Sequence, residues 1–354
     1  MPTLATHKQC PVSNAFGHLF QPSSRVDRTR VVRIVDASGK HTEPNTDAQV
    51  LLRECLLRVA RKSSDLTDPA PPLGTDKLRT ALAAITGCEP EIIAITSGVR
   101  ASVPILAPML PIVAFESPSF EDLPKLAQSM GCEVKRESWP ELVHDDSHAI
   151  WITHPARNPD GASLTIESVK QLTQRRHIAV VNEVHRWNST IQPAIPSGSL
   201  VAVGSLSKVW GPGARLGWVR GAAVAKLSKA SLRISSPPSI MQHTWADFLE
   251  GGGLEYLAND AAVAEMSRKR FCELVEPQWL ATASDGPSVL VKLPKRLSAS
   301  EALKILLSSG IRATDGQYFS VPYPAVRLNF VGISHSDAEV LARAIGQLFD
   351  QQPR

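Results

Sequence analysis

Between residues 46 and 220, short runs of β-branched and apolar residues alternate with stretches of helical periodicity, and this alternation constrains the fold more than any other feature. Residues 49–61 and 76–85 carry helical spacing, and 92–96 reads as a strand. Buried strands follow at 111–116, 149–153, 177–181 and 200–204, with helices at 120–130 and 166–174 among them. Strands that take turns with helices are joined by crossovers, which gives a mainly parallel sheet between helical layers and an α/β class. After residue 220 the pattern changes to long helical stretches at 223–233 and 254–276, then short strands at 288–293 and 325–330. A final helix is expected over 336–349, N-capped by Ser334 or Ser336, with Val340, Leu341, Ala344 and Leu348 on its apolar face. The expected division is an N-terminal arm over 1–45, a large domain over 46–250 and a smaller α+β domain over 251–354.

Hydrophobic residues make up 43% of the chain and charged residues 20%, as expected of a protein with a packed core. A net charge of +4 without a Lys/Arg block gives no footprint for nucleic acid or membrane, so small molecules are the expected partners. Cys10, Cys55, Cys88, Cys132 and Cys272 are scattered and lack metal-ligand spacing, so neither a disulfide framework nor a metal site is expected. This fits a reducing cytoplasm. No signal peptide is read at the start. The longest apolar run, 101–115, is broken by Pro104, Pro108 and Pro111 and is too short to span a bilayer.

The chemistry concentrates in Gly204-Ser205-Leu206-Ser207-Lys208-Val209-Trp210-Gly211-Pro212-Gly213-Ala214-Arg215-Leu216-Gly217, just after an expected buried strand. A lysine packed there is desolvated, which lowers its pKa toward the amine form that a Schiff base requires. Ser205, Ser207 and Arg215 supply hydroxyl and guanidinium donors suited to a phosphate.

This segment resembles the cofactor-lysine motif of the class I/II aminotransferases, within the fold-type I enzymes that depend on pyridoxal 5′-phosphate. Further motifs occur in the family's order. His154-Pro155-Ala156-Arg157-Asn158-Pro159-Asp160-Gly161 is similar to the loop whose asparagine, here Asn158, donates to the cofactor's phenolic oxygen. Ser97-Gly98-Val99-Arg100 is similar to the strand-to-helix turn whose backbone amides hold the phosphate, which assigns Gly98, Val99 and Arg100. Glu116-Ser117-Pro118-Ser119-Phe120 resembles the loop that lays an aromatic ring, here Phe120, over the pyridine. Ala325-Val326-Arg327-Leu328-Asn329-Phe330 resembles the strand whose arginine, here Arg327, grips the substrate carboxylate. Gly74-Thr75-Asp76-Lys77-Leu78-Arg79 also matches, so the likeness spans residues 74–330. It implies a sheet of the seven-stranded type, a Schiff base on Lys208, an amino acid or keto acid substrate and a homodimer. Trp187, Trp210, Tyr318 and Arg157 lie near these motifs, where pocket, core and surface roles all stay open.

The chain departs from the pattern at Val181-Asn182-Glu183-Val184-His185. Asn182 stands where the family has an aspartate that keeps the pyridine nitrogen protonated, and His185 where it has a tyrosine. An amide can hydrogen-bond to that nitrogen but gives no Coulombic reward for protonation, so a weaker electron sink is expected. Imidazole also titrates near neutrality, where a tyrosine does not. The tyrosine that family members often place before the Gly74 motif has no counterpart in 65–69.

The expected activity is therefore a cofactor-dependent transferase, an aminotransferase acting through Lys208. The alternatives are specialised chemistry of the same cofactor (elimination, cyclisation, oxidation or decarboxylation in a biosynthetic pathway) and a degenerate cofactor-binding paralogue. A regulatory protein with such a domain would need a DNA-binding module, for which the stretch before the first helix is too short.

Overall fold

Where the sequence places uninterrupted apolar runs, the chain builds the middle of a sheet. The computed structural model describes residues 34–39, 45–62, 68–145, 147–174, 176–189, 193, 198–282 and 285–350. The arm expected over 1–45 falls outside them except for 34–39 and 45, as do Cys10 and 65–67 of the segment without a tyrosine.

The strands are β1 (Val35–Asp36), β2 (Ile93–Thr96), β3 (Ile112–Glu116), β4 (Glu133–Glu137), β5 (Ala149–Thr153), β6 (Ile178–Asn182), β7 (Leu200–Ser205) and β8 (Gly217–Arg220). After them come β9 (Ser288–Lys292), β10 (Ile311–Arg312), β11 (Thr314–Asp315) and β12 (Ala325–Asn329). Among the described residues seven strands form the main sheet in the order β2-β8-β7-β6-β5-β3-β4, all parallel except β8. Alternation of side chains across the sheet is explicit. Val113, Phe115, Trp151, Val180 and Val203 pack on one face, and Ala114, Ile150, Ile152, Ala179 and Val181 on the other. Both faces are apolar because helices cover both. The edge strand β4, Glu-Val-Lys-Arg-Glu, is charged and only partly buried, a composition that resists pairing with another chain.

The helices are α1 (Thr46–Arg61), α2 (Asp76–Thr86), α3 (Val99–Leu106), α4 (Asp122–Ser129), α5 (Trp139–His144), α6 (Ile166–Gln174) and α7 (Lys229–Ser235). They continue as α8 (Ser239–Phe248), α9 (Leu254–Leu274), α10 (Ala299–Ser308) and α11 (His335–Asp350). The helix expected over 223–233 is in fact two pieces, a 3-10 segment Ala222–Lys226 and then α7. Ser228 separates them by accepting a hydrogen bond from the Ser231 amide, a local cap that competes with helix continuation. Ser334 caps α11, accepting from the Asp337 amide at 3.1 Å, and Leu341, Ala344 and Leu348 are buried beneath it.

The three-stranded sheet β11-β12-β9 is antiparallel, and its core contains Phe271, Val291, Leu328, Phe330 and Leu341. Strand β1 pairs in parallel with β10, so residues 35–36 are built into the C-terminal part of the molecule. No described helix is long and apolar enough to cross a membrane. Cys55, Cys88, Cys132 and Cys272 are free, and no cluster of metal-ligating side chains occurs among the described residues.

Candidate active site

Because β2, β3, β5, β6 and β7 run in one direction, their carboxyl ends form one edge of the sheet. The register aligns them: Thr153 pairs with Asn182, and Gly217 pairs with both Ser205 and Thr96. The segments beyond these ends are those singled out above, namely 97–100, 117–120, 154–161, 182–185 and 205–208. Ligands of open α/β sheets bind at this kind of edge.

Gly98, at φ +110°, opens the turn into α3 and exposes the first amides of that helix. It lies against Gly217. A Cβ on Gly217 would come within 2.6 Å of Gly98 Cα, so the start of β8 meets the turn into α3 backbone to backbone and only glycine is accommodated at 217. Ser205 is buried, its hydroxyl lies 2.7 Å from that of Ser207, and it also accepts from the Ser207 amide at 3.2 Å. Arg215, in the left-handed region at φ +43°, is exposed and makes no ion pair with a described residue.

Lys208 follows in the same turn. Burial pushes its amine down to about 8, helped by the positive charges of Arg327 and Arg100. Burial likewise holds His185 in its neutral form, with a pKa of about 3, and the charges of Lys208 and Arg327 act in the same direction. Its Nδ1 is buried without a described hydrogen-bond partner, as are Asn158 Oδ1 and Arg327 Nε. Arg327 lies on β12, 8% exposed, with its guanidinium 5.0 Å from the centre of the Phe319 ring and no carboxylate paired with it among the described residues. Desolvation lowers its pKa to about 10. Lys208, His185, Arg327 and Arg100 thus share one electrostatic environment, although they come from distant parts of the chain.

Phe120 is part-buried. The Tyr318 ring meets it edge-on at 5.8 Å, and the Arg100 guanidinium sits 5.3 Å from its centre. Arg100 pairs with Asp122, which also accepts from the Tyr318 hydroxyl at 2.7 Å. The same approach joins Ser119 N to Phe319 O at 3.1 Å and the Ser320 hydroxyl to Glu121 at 2.7 Å. The 318–320 segment is therefore tied to the 119–122 turn at the edge of the site. Of the other aromatic residues near the motifs, Trp210 packs edge-on against Trp245 and Phe248 in the core. Arg157 is buried, pairs with Asp160 through two hydrogen bonds and lies 4.0 Å over the Trp139 ring.

Sequence reasoning missed three features. Glu183 is fully buried and accepts from Arg220 at 2.9 and 2.6 Å and from Trp218 Nε1 at 2.7 Å, which clamps the end of β6 to β8. Glu116 is buried too and accepts from the Thr153 amide at 2.6 Å and Trp139 Nε1 at 2.7 Å, with its pKa raised to about 7 by desolvation. Both of its oxygens take N–H donors, an arrangement that suits the carboxylate better than the acid. Gly39, at φ +63°, crosses close to the site arginine: a Cβ there would sit 2.8 Å from Arg327 Nη1. Pairings across such long stretches of chain leave no periodic signal in a single sequence. Gly39 follows a strand of only two residues.

The fold and the cation-rich strand-end site define an α/β enzyme of pyridoxal-phosphate fold type I. A model of the class I and II aminotransferases matches residues 43–345, and the chain belongs to that family, as a pyridoxal-phosphate-dependent transferase. Among solved structures, the α-aminoadipate aminotransferase LysN from Thermus thermophilus, complexed with N-(5′-phosphopyridoxyl)-L-leucine, superposes with a TM-score of 0.74 at 20% identity. That match covers 89% of this chain and 93% of the other. An aminotransferase from Mycobacterium tuberculosis gives 0.74 at 19% identity, covering 90% and 92%. Aspartate aminotransferase from Thermus thermophilus with maleate gives 0.73 at 19%, covering 88% and 92%. Comparison with curated proteins gives no significant match.

Proposed function

We propose that Lys208 is the covalent anchor of the cofactor and that the chain transfers amino groups between amino acids and keto acids. One observation carries this reading: a desolvated amine and a desolvated guanidinium, Lys208 and Arg327, share a site with no carboxylate paired to either among the described residues. Buried charge without a counter-ion is costly, and an anionic guest removes the cost. When bound, pyridoxal phosphate supplies an aldehyde for the lysine and a conjugated ring that accepts electron density from the substrate α-carbon.

The chain's residues fit that guest. The Gly98, Val99 and Arg100 amides and the Ser205 and Ser207 hydroxyls would hold the phosphate, with Arg215, the exposed member, supplying a guanidinium from the solvent side. Phe120 would stack on the ring and Asn158 would serve its phenolic oxygen, while neutral His185 has a buried Nδ1 without a described partner. Asn182 would stand opposite the ring nitrogen. Arg327 holds the substrate carboxylate through its planar fork. Lys208, its amine brought down to about 8, gives up its proton far more readily than an ordinary lysine and is suited to take a proton from the α-carbon and return it elsewhere.

The division into a large domain over 46–250 and a small one over 251–354 belongs to the same reading. So does a homodimer: Val50, Leu56 and Leu57 on α1 and Ile234 on α7, 87% exposed, offer apolar surface to a second copy. Free cysteines support a reducing, cytoplasmic location.

Borohydride treatment in the presence of pyridoxal phosphate should attach the pyridoxyl group to Lys208, as read by peptide mass. Lys208→Ala should lose both the label and the visible absorbance of the bound cofactor. A wild-type protein labelled elsewhere, or not at all, overturns the assignment.

A further inference from the structure

The charged neighbourhood of β6 bears on how the ring nitrogen is held. Asn182 is 6% exposed, and its Oδ1 accepts from the Val184 amide at 3.2 Å. A backbone N–H only donates, so the oxygen must occupy that side of the amide and the NH2 the other. Asn182 therefore turns two donors, and no acceptor, toward the site.

Neighbouring acids do not make up the missing acceptor. Side chains at successive strand positions point to opposite faces, and Glu183 is accordingly turned to Trp218 and Arg220, with Arg186 at 3.2 Å as a further partner. Glu116 is occupied by Thr153 and Trp139, Asp160 by Arg157, and Asp122 by Arg100 and Tyr318. The charges acting on Lys208 and His185 are all positive, coming from Arg100, Arg327 and Lys208 itself. A pyridinium N–H would face the amide NH2 donors in a site that already carries cations.

Resting on the assignment of Asn182 to the ring nitrogen, we propose that this site binds the cofactor with that nitrogen unprotonated, as the acceptor of a hydrogen bond from Asn182 Nδ2. The site then selects a neutral heterocycle. Less electron density is drawn from the α-carbon, and the proton-moving step leans more on Lys208.

The test uses holoenzyme reconstituted with cofactor labelled with 15N in the ring. The expected signal is that of unprotonated pyridine, unchanged between pH 6 and 9, and Asn182→Asp should move it to the pyridinium position. N-methylated pyridoxal phosphate, which is permanently charged and cannot accept, should bind wild-type apo-protein about tenfold more weakly than pyridoxal phosphate, the scale of one lost hydrogen bond. A pyridinium signal from wild-type protein whose Lys208 is labelled by borohydride overturns this inference alone. Absence of label on Lys208 overturns the functional assignment with it. The wild-type signal decides the matter whether or not the Asp variant folds.

Discussion

Two buried arginines, Arg220 and Arg327, sit at comparable depth and differ in how their charge is met, which bears on the ligand role proposed for the second. Arg220 is 1% exposed and meets Glu183 through two hydrogen bonds, and the carboxylate keeps its pKa up despite the burial. Arg327 is 8% exposed, with the face of Phe319 beneath it and no carboxylate paired with it among the described residues, so burial lowers its pKa. Pairing makes the first a fastener. The second lies close to Gly39, where an added Cβ would come within 2.8 Å of its Nη1, and its Nε has no described hydrogen-bond partner.

Substitutions can break this contrast, the largest effect falling on the fastener. Arg220→Leu leaves Glu183 buried with only Trp218 and Arg186 as partners, and should cost about 3–5 kcal/mol of stability. Urea denaturation should show a lower midpoint, and an unchanged midpoint would remove the distinction. Arg327→Leu should leave the midpoint unchanged or raise it, because an unpaired buried charge disappears. It should instead weaken carboxylate substrates by about 100-fold in KM, roughly 3 kcal/mol for the lost charged hydrogen bonds.

The same variant has a pH signature. Arg327 disfavours the protonated form of Lys208, so its removal raises the lysine pKa above about 8, and the pH at which apo-protein takes up cofactor fastest should move upward. A downward move would contradict the electrostatics. The smallest effect sharpens the comparison from the other side. Gly39→Ala introduces a Cβ at a positive φ and against Arg327, and should cost about 1–3 kcal/mol, with a KM increase that exceeds any loss of kcat.

Much of this was legible from residue pattern. Apolar runs such as Ala-Ile-Trp-Ile-Thr and Ile-Ala-Val-Val-Asn announce buried parallel strands, and β5 begins and ends where expected. Strands β4 and β8 were not read, for different physical reasons. The β4 run is charged because it lies at the edge, and β8 contains an arginine because Glu183 pairs with it from the end of β6 in the same sheet. The site residues around Lys208 were visible as motifs, yet their electrostatic state was not. That Glu183 turns to Arg220, that the Asn182 oxygen is taken by the Val184 amide and that Arg327 has no counter-ion among the described residues are facts of three-dimensional pairing. Arg215, which the motif places at the phosphate, stands exposed.

The abutment of Gly98 and Gly217 carries a thermodynamic consequence. A helix-opening turn that touches a strand main chain to main chain has no room to shift toward it, so this rim of the site is set before any guest arrives. Little ordering entropy remains to be spent on capture, and a side chain added at 217 would loosen the grip by splaying that rim, with every donor still in place.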